Sequence, residues 1–165
     1  MYKRQGLFRV KADGTIENFK YNAKDTHSLS SNFVRACCED NLGNIWIGTF
    51  NGLNRYNKIT GLFQNHTAND TQADGLTHSS IWCIVKDNQG TLWLGTYFGG
   101  VNYFNPEYEI YTRYSYSSNE KKGLSNPVVG RTIEDKDDNL WIGTEGGGLN
   151  YYNRRTREFK WYRPQ

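Results

Sequence analysis

Six residues have the side-chain types that could hold a sugar-like ligand: Arg35, His78, Trp82, Tyr97, Phe98 and Arg131. Aromatic faces stack on the CH faces of a pyranose, while guanidinium and imidazole donors meet its hydroxyls. They stand out because the chain repeats itself and these positions do not. Scaffold positions must be alike in every copy, whereas a ligand asks for a different group from each. The plainer alternative is that such positions vary only because they lie in exposed loops.

Catalytic chemistry is poorly supplied. Of three histidines, His66 falls among strand aromatics and His27 in a polar loop, leaving only His78 beside the candidate set. No acid, nucleophile or metal partner stands at a useful spacing from it. The sequence therefore assigns no catalytic residue, no metal ligand and no cofactor. Asp135, Asp137 and Asp138 crowd together, but the full ligand series and glycine of a calcium loop are missing, so a solvated turn fits better. Cys37, Cys38 and Cys83 make neither a complete disulfide framework nor a C-x-x-C motif. They read as small buried side chains in strands.

The elements that must position these residues follow from a repeat. Asn139-Leu140-Trp141-Ile142-Gly143-Thr144, running on to Gly148-Leu149-Asn150-Tyr151-Tyr152-Asn153, has two earlier counterparts around Trp46 and Trp93. The three tryptophans lie 47 and 48 residues apart. A period of this length marks a repeat architecture. Each unit opens on a leucine (Leu29, Leu76, Leu124) and continues into an apolar segment that ends in an aspartate (Asp40, Asp87, Asp135). Turn residues follow, then the tryptophan strand, a glycine loop, and two more short strands.

Four short antiparallel strands per period predict the blade of an all-β β-propeller, with strands at 33–39, 45–49, 53–56 and 62–66 in the first complete blade. No apolar stripe of helical period appears. Complete blades are expected over 29–66, 76–114 and 124–163, and residues 1–22 read as an outer half-blade of two strands. A blade cannot bury both faces alone, so Trp46, Trp93 and Trp141 are expected to wedge between neighbours. Propellers close with about four to eight blades. Three and a half therefore suggest part of a longer chain, with exposed blade faces prone to self-association.

Composition agrees with this reading. Aromatics reach 15% of the 165 residues, and 17 glycines punctuate them. The net charge of +3 is scattered, without the dense basic patch that a nucleic-acid surface needs. No apolar run approaches the roughly 20 residues of a membrane span, and Met1-Tyr2-Lys3-Arg4 leads into no signal-peptide core.

Strand direction sorts the loops onto two rims. The loops joining second to third strands, and the connections between blades, share one rim. There Ser31, His78 and Asn126 align, as do Arg35, Trp82 and Gly130, then Ala36, Cys83 and Arg131.

The sequence Leu-Ser-x-Asn-x-Val, Glu-Asp, Asn-Leu-Trp-Ile-Gly-Thr and Gly-Gly-Leu-Asn-x-Tyr resembles the two-component regulator propeller repeat, most clearly over Leu124 to Asn153. Gly52 lacks the preceding glycine, and Cys37 and Cys38 replace the more usual aliphatic pair. The resemblance implies an extracytoplasmic, periplasmic sensor region of a hybrid two-component regulator of the kind common in gut Bacteroidetes. In such proteins propellers precede a β-sandwich, a membrane helix and a histidine kinase, and the ligand is often a carbohydrate breakdown product. An oligosaccharide and the rest of the parent sensor are the partners it implies. No kinase motif falls within these residues. Two alternatives remain: a protein-docking or dimerisation scaffold, and a propeller lyase of the streptogramin-lyase type. The lyase would need clustered His and Glu on the rim, where only His78 and Glu145 stand.

Overall fold

A computed structural model describes residues 5–68 and 75–163. Residues 1–4 of the expected half-blade lie outside the described residues. The structure is all-β, built of antiparallel meanders in which each strand pairs with its sequence neighbour. A two-stranded sheet comes first, β1 (Leu7–Val10) and β2 (Ile16–Phe19). The first four-stranded sheet is β3 (Val34–Glu39), β4 (Ile45–Thr49), β5 (Gly52–Tyr56) and β6 (Phe63–His66). The second is β7 (Ile81–Lys86), β8 (Leu92–Thr96), β9 (Val101–Asn105) and β10 (Ile110–Tyr114). The third is β11 (Val129–Glu134), β12 (Leu140–Thr144), β13 (Gly148–Asn153) and β14 (Glu158–Tyr162). In the first sheet every strand end lies within one residue of its expected place.

Successive sheets meet along their first strands, β3 against β7 and β7 against β11, so these are the inner strands of a fan. The apolar cores lie between sheets. Leu29, Ile47, Tyr56 and Phe63 close on Leu7 and Phe19 of the half-sheet. Trp46, Leu53, Ile81, Leu94 and Phe104 fill the next gap, and Trp93, Val129, Leu140, Ile142 and Tyr152 the one after.

The turn between first and second strands is tied to the tryptophan by one carboxylate. Oδ2 of Asp40, Asp87 and Asp135 accepts the indole N–H of Trp46, Trp93 and Trp141 at 2.7, 2.9 and 3.0 Å. In each case Oδ1 accepts two backbone N–H groups of the turn, those of Leu42 and Asn44, Gln89 and Thr91, and Asp137 and Asn139. The left-handed position of this turn is Gly43, Gly90 or Asp138, and aspartate is among the few side chains that tolerate it. The carboxylate crowding at 135–138 thus belongs to turn geometry.

A second tie is an asparagine buried in each third strand. Oδ1 of Asn54, Asn102 and Asn150 accepts the N–H of Ser30, Thr77 and Ser125 at 2.8 to 3.0 Å, which anchors the chain entering each blade.

Trp46 and Trp93 are 0% and 1% exposed, each packed edge-on or tilted against an aromatic of the following sheet, Phe104 at 4.9 Å and Tyr152 at 5.9 Å. Trp141, in the last of the described sheets, is only half-buried and stacks on Tyr162 of its own blade.

Acid should expose the first tie. Burial opposes ionisation of Asp40, yet hydrogen bonds from Trp46, Asn44 and Leu42 outweigh it and hold the carboxyl below its ordinary value of 3.8. A lowered folded pKa gives stability that is fully present above 3.8 and lost as pH falls through the folded value. Asp40→Asn, which sets an amide N–H₂ against the indole N–H or one of the turn donors, should cost about 1.5–3 kcal/mol at neutral pH. It should also flatten the loss of stability below pH 3.8. Urea titrations of both proteins at pH 7 and pH 3 measure the two effects.

Candidate functional site

Each inner strand breaks register once, at the same place. Pairing passes from Val34 to Ala36, from Ile81 to Cys83 and from Val129 to Arg131, against Thr49–Gly48, Thr96–Gly95 and Thr144–Gly143. The skipped residues are Arg35, Trp82 and Gly130. A bulge leaves one residue out of the ladder and turns its side chain away from the sheet's regular alternation. The three bulged residues are the aligned trio that differs from blade to blade.

The surrounding rim is braced by bonds that do repeat. The N–H of Phe50, Tyr97 and Glu145 bonds the carbonyl of Phe33, Ser80 and Val128, each at 3.0 Å, so the loop after each tryptophan strand is stitched to the entry of the inner strand. One step earlier, Ser31 Oγ, His78 Nδ1 and Asn126 Oδ1 accept the N–H of Phe33, Ser80 and Val128 at 3.2, 3.0 and 2.9 Å. Three different side chains make one turn contact, so part of the variation at this position is neutral to the scaffold.

Five of the six expected site residues come together. The Arg35 guanidinium lies 4.4 Å from the centre of the Trp82 ring, and Trp82 stacks on Tyr97 at 5.4 Å and 16°. Tyr97 meets Phe98 at 4.9 Å and His78 at 6.3 Å, both edge-on. The result is one run of rings on the second blade, ending at an exposed cation from the first. Tyr97 and Phe98 remain 39% and 58% exposed, enough to offer a face to a partner. On the other side of Arg35, a cleft of about 560 Å³ is lined by Tyr21, Asn32, Phe33, Phe50 and Asn51.

Arg131 stands apart from the other five. Its Cα pairs with Gly143, and it lies with Ile133, Trp141 and Leu149 on the open face of the third sheet. It fills the place that Cys83 holds in the second sheet, where that side chain is buried between blades. The bulge is the reason: it gives the outward place to Gly130 and returns the next residue to the packing face. Tyr21, Asn32 and Phe33 were missed, because nothing in the repeat links the chain after the half-sheet to the rim. The N–H of Tyr21 bonds Asn32 Oδ1 at 2.7 Å and joins them. His66 packs on Trp46 and Phe104 between blades, where burial lowers its pKa and keeps it neutral.

Meandering four-stranded blades that share cores across a fan of inner strands define a β-propeller. Residues 28–51, 75–98 and 123–146 match the two component regulator propeller family, and the chain carries three repeats of it. The extracellular domain of the proposed hybrid two component system BT3049 from B. thetaiotaomicron superposes with a TM-score of 0.71 at 22% identity, over 90% of this chain and 19% of that one. Virginiamycin B lyase from Staphylococcus aureus gives 0.67 at 17% identity, over 94% of this chain and 47% of that one. At these identities the likeness is one of fold, and the chain spans less than half the length of either. No curated protein sequence matches it. Among the described residues no helix is long and apolar enough to cross a membrane.

If His78 serves the turn through Nδ1 alone, the asparagine found in the third blade should replace it. His78→Asn should leave stability within about 0.5 kcal/mol, while His78→Ala should cost about 1 kcal/mol. Thermal or urea unfolding of the two variants tests this.

Proposed function

We propose that this chain is a ligand-recognising part of the extracytoplasmic sensor region of a two-component regulator, and that its ligand is a carbohydrate fragment. The parent regulator would carry the kinase, and the chain itself would do no chemistry. One observation supports this above the rest. The bulged, non-repeating positions Arg35 and Trp82 share one rim with Tyr97 and Phe98, so the variable side chains form a continuous aromatic surface with a charged end. Flat exposed rings beside polar side chains suit a sugar, whose CH faces stack while its hydroxyls find donors. Binding that favours one arrangement of neighbouring domains would pass the signal on. Calorimetry with an oligosaccharide panel tests the reading. One or more sugars should bind, and Trp82→Ala or Tyr97→Ala should weaken binding by at least about tenfold, the loss of one stacking contact of roughly 1.4 kcal/mol. Unchanged isotherms in both variants would remove the site.

A second reading, self-association, draws on a different surface. A Cβ at Gly48 would meet Ile81 at 2.7 Å, and one at Gly95 would meet Val129 at 2.7 Å, so each glycine is a slot for a β-branched residue of the next blade. Gly143 holds the same place with nothing nearer than 3.8 Å, beside half-buried Trp141 and exposed Ile133 and Leu149. At the other end of the array Phe8, Val10 and Ile16 are 50%, 69% and 64% exposed, on the face that would receive a tryptophan. We propose that a second copy docks head to tail, its half-sheet on the Trp141 face. Such a contact is heterologous and would give a ring or an open chain. Sedimentation should show concentration-dependent dimers or larger species that Ile133→Glu with Leu149→Lys abolishes. A strict monomer at high concentration would exclude the pairing.

A further inference from the structure

Two described arginines lie over an indole face without an ion pair, Arg163 on Trp161 at 4.5 Å beyond the last strand and Arg35 on Trp82 at 4.4 Å, and only Arg35 borders the rim cleft. Arg9 and Arg55 hold glutamates, Glu17 at 2.8 Å and Glu109 at 3.1 Å, and Arg154 holds both Asp87 and Glu134 at 3.1 Å. Arg35 is exposed, forms no ion pair among the described residues, and lies over the face of Trp82. Among the residues that line the cleft beside it, it is the only charged one. The bulge between Val34 and Ala36 takes it out of the ladder, so its direction is built into the strand.

A guanidinium lying over an indole is held by its face, which leaves its in-plane N–H donors at the edge available. Those donors form a planar fork that matches a carboxylate or sulfate with two parallel hydrogen bonds. Stacking also reduces the freedom that a long side chain would otherwise lose on binding. The exposed rings of Phe33, Phe50 and Tyr21 line the cleft with Arg35, and Trp82 connects it to the exposed rings of Tyr97 and Phe98. The amide of Asn32 keeps its N–H₂ as a donor, since its Oδ1 is taken by Tyr21. A neutral sugar would use the rings and leave the fork to water. A sugar bearing an anionic group would use both.

We infer that the ligand is an acidic saccharide, with its carboxylate or sulfate on the Arg35 fork and its ring on the aromatic surface beside it. This rests on the sugar-binding reading of the same rim and narrows it. Trp82 links the two parts, meeting the guanidinium at 4.4 Å and stacking on Tyr97 at 5.4 Å. The indole N–H of Trp82 is buried and has no partner among the described residues.

The test uses the whole chain and three matched probes: trigalacturonate, a neutral galactose trisaccharide and a sulfated disaccharide. Calorimetry at two salt concentrations reads binding, and quenching of tryptophan fluorescence gives a second signal. One of the two anionic probes should bind at least about tenfold more tightly than the neutral one, with affinity falling as salt rises. Which of them binds decides between carboxylate and sulfate. Arg35→Gln should erase that preference, and Arg35→Lys should recover only part of it, because an ammonium keeps the charge and loses the fork. Equal binding of the neutral probe in the parent protein, or an Arg35→Gln variant that keeps the preference, overturns the inference while sugar binding stands. Failure of every probe overturns both.

Discussion

The structure depends on one carboxylate per blade that serves two structures at once. The aspartate at the end of each inner strand closes the following turn with one oxygen and fixes the tryptophan of the next strand with the other. An indole buried between sheets must have its N–H satisfied, and here the partner comes from its own blade. Each blade therefore presents an oriented, fully bonded wedge before its neighbour arrives. Because the bond is local, it can be copied every 47 or 48 residues without reference to the rest of the ring. Between the second and third blades Arg154 adds a brace, bonding Asp87 Oδ2 and lying 5.6 Å from the Trp93 ring centre. There the buried aspartate has a cation from the next blade, which links its charge to correct docking.

A preformed wedge needs a recess, and the glycine after it in the same strand supplies one. At Gly48 and Gly95 the absent Cβ is what lets Ile81 and Val129 reach the backbone of the preceding blade. This close approach explains why the Trp-x-Gly spacing is kept in all three copies while the residue between is Ile or Leu. Wedge and recess act along one direction only, so the array has a donor face and an acceptor face. The half-buried state of Trp141 and the open ground at Gly143 are the consequence of that polarity.

The fold was legible because its signals are periodic. Strand alternation, turn residues and three tryptophans recur at one interval, and each copy checks the others. The ties beneath the pattern were not legible. Asp40 ends an apolar segment and Asn54 sits in a repeated Leu-Asn-x-Tyr run, yet nothing at either position marks it as buried and bonded, which both are. Alternation misplaces them because hydrogen bonding, not polarity, decides which polar residues go inside. The candidate rim was legible as a set of non-repeating residues, and five of six did converge. Arg131 did not, since a register slip of one residue reverses the face to which every later side chain points. The bulge that causes the slip leaves no mark in composition: its three occupants, Arg35, Trp82 and Gly130, share no chemistry.

That lack of shared chemistry is what the bulge permits. Every other position of an inner strand must satisfy a ladder bond, a core or a neighbouring blade, and is held to a narrow choice. The bulged residue is released from the ladder, and the three blades fill it with a guanidinium, an indole and a bare glycine. Its location is fixed to within the rigidity of the inner strand, beside loops stitched down at 3.0 Å in every copy. Free choice of residue at a fixed point in space is the condition for building a recognition surface on a repeat, because specificity can change without cost to the scaffold. The glycine in the third blade then belongs to the surface as much as the arginine does. With no side chain at Gly130, the aromatic run stops at the second blade, and the surface has its cation at one end and open backbone at the other.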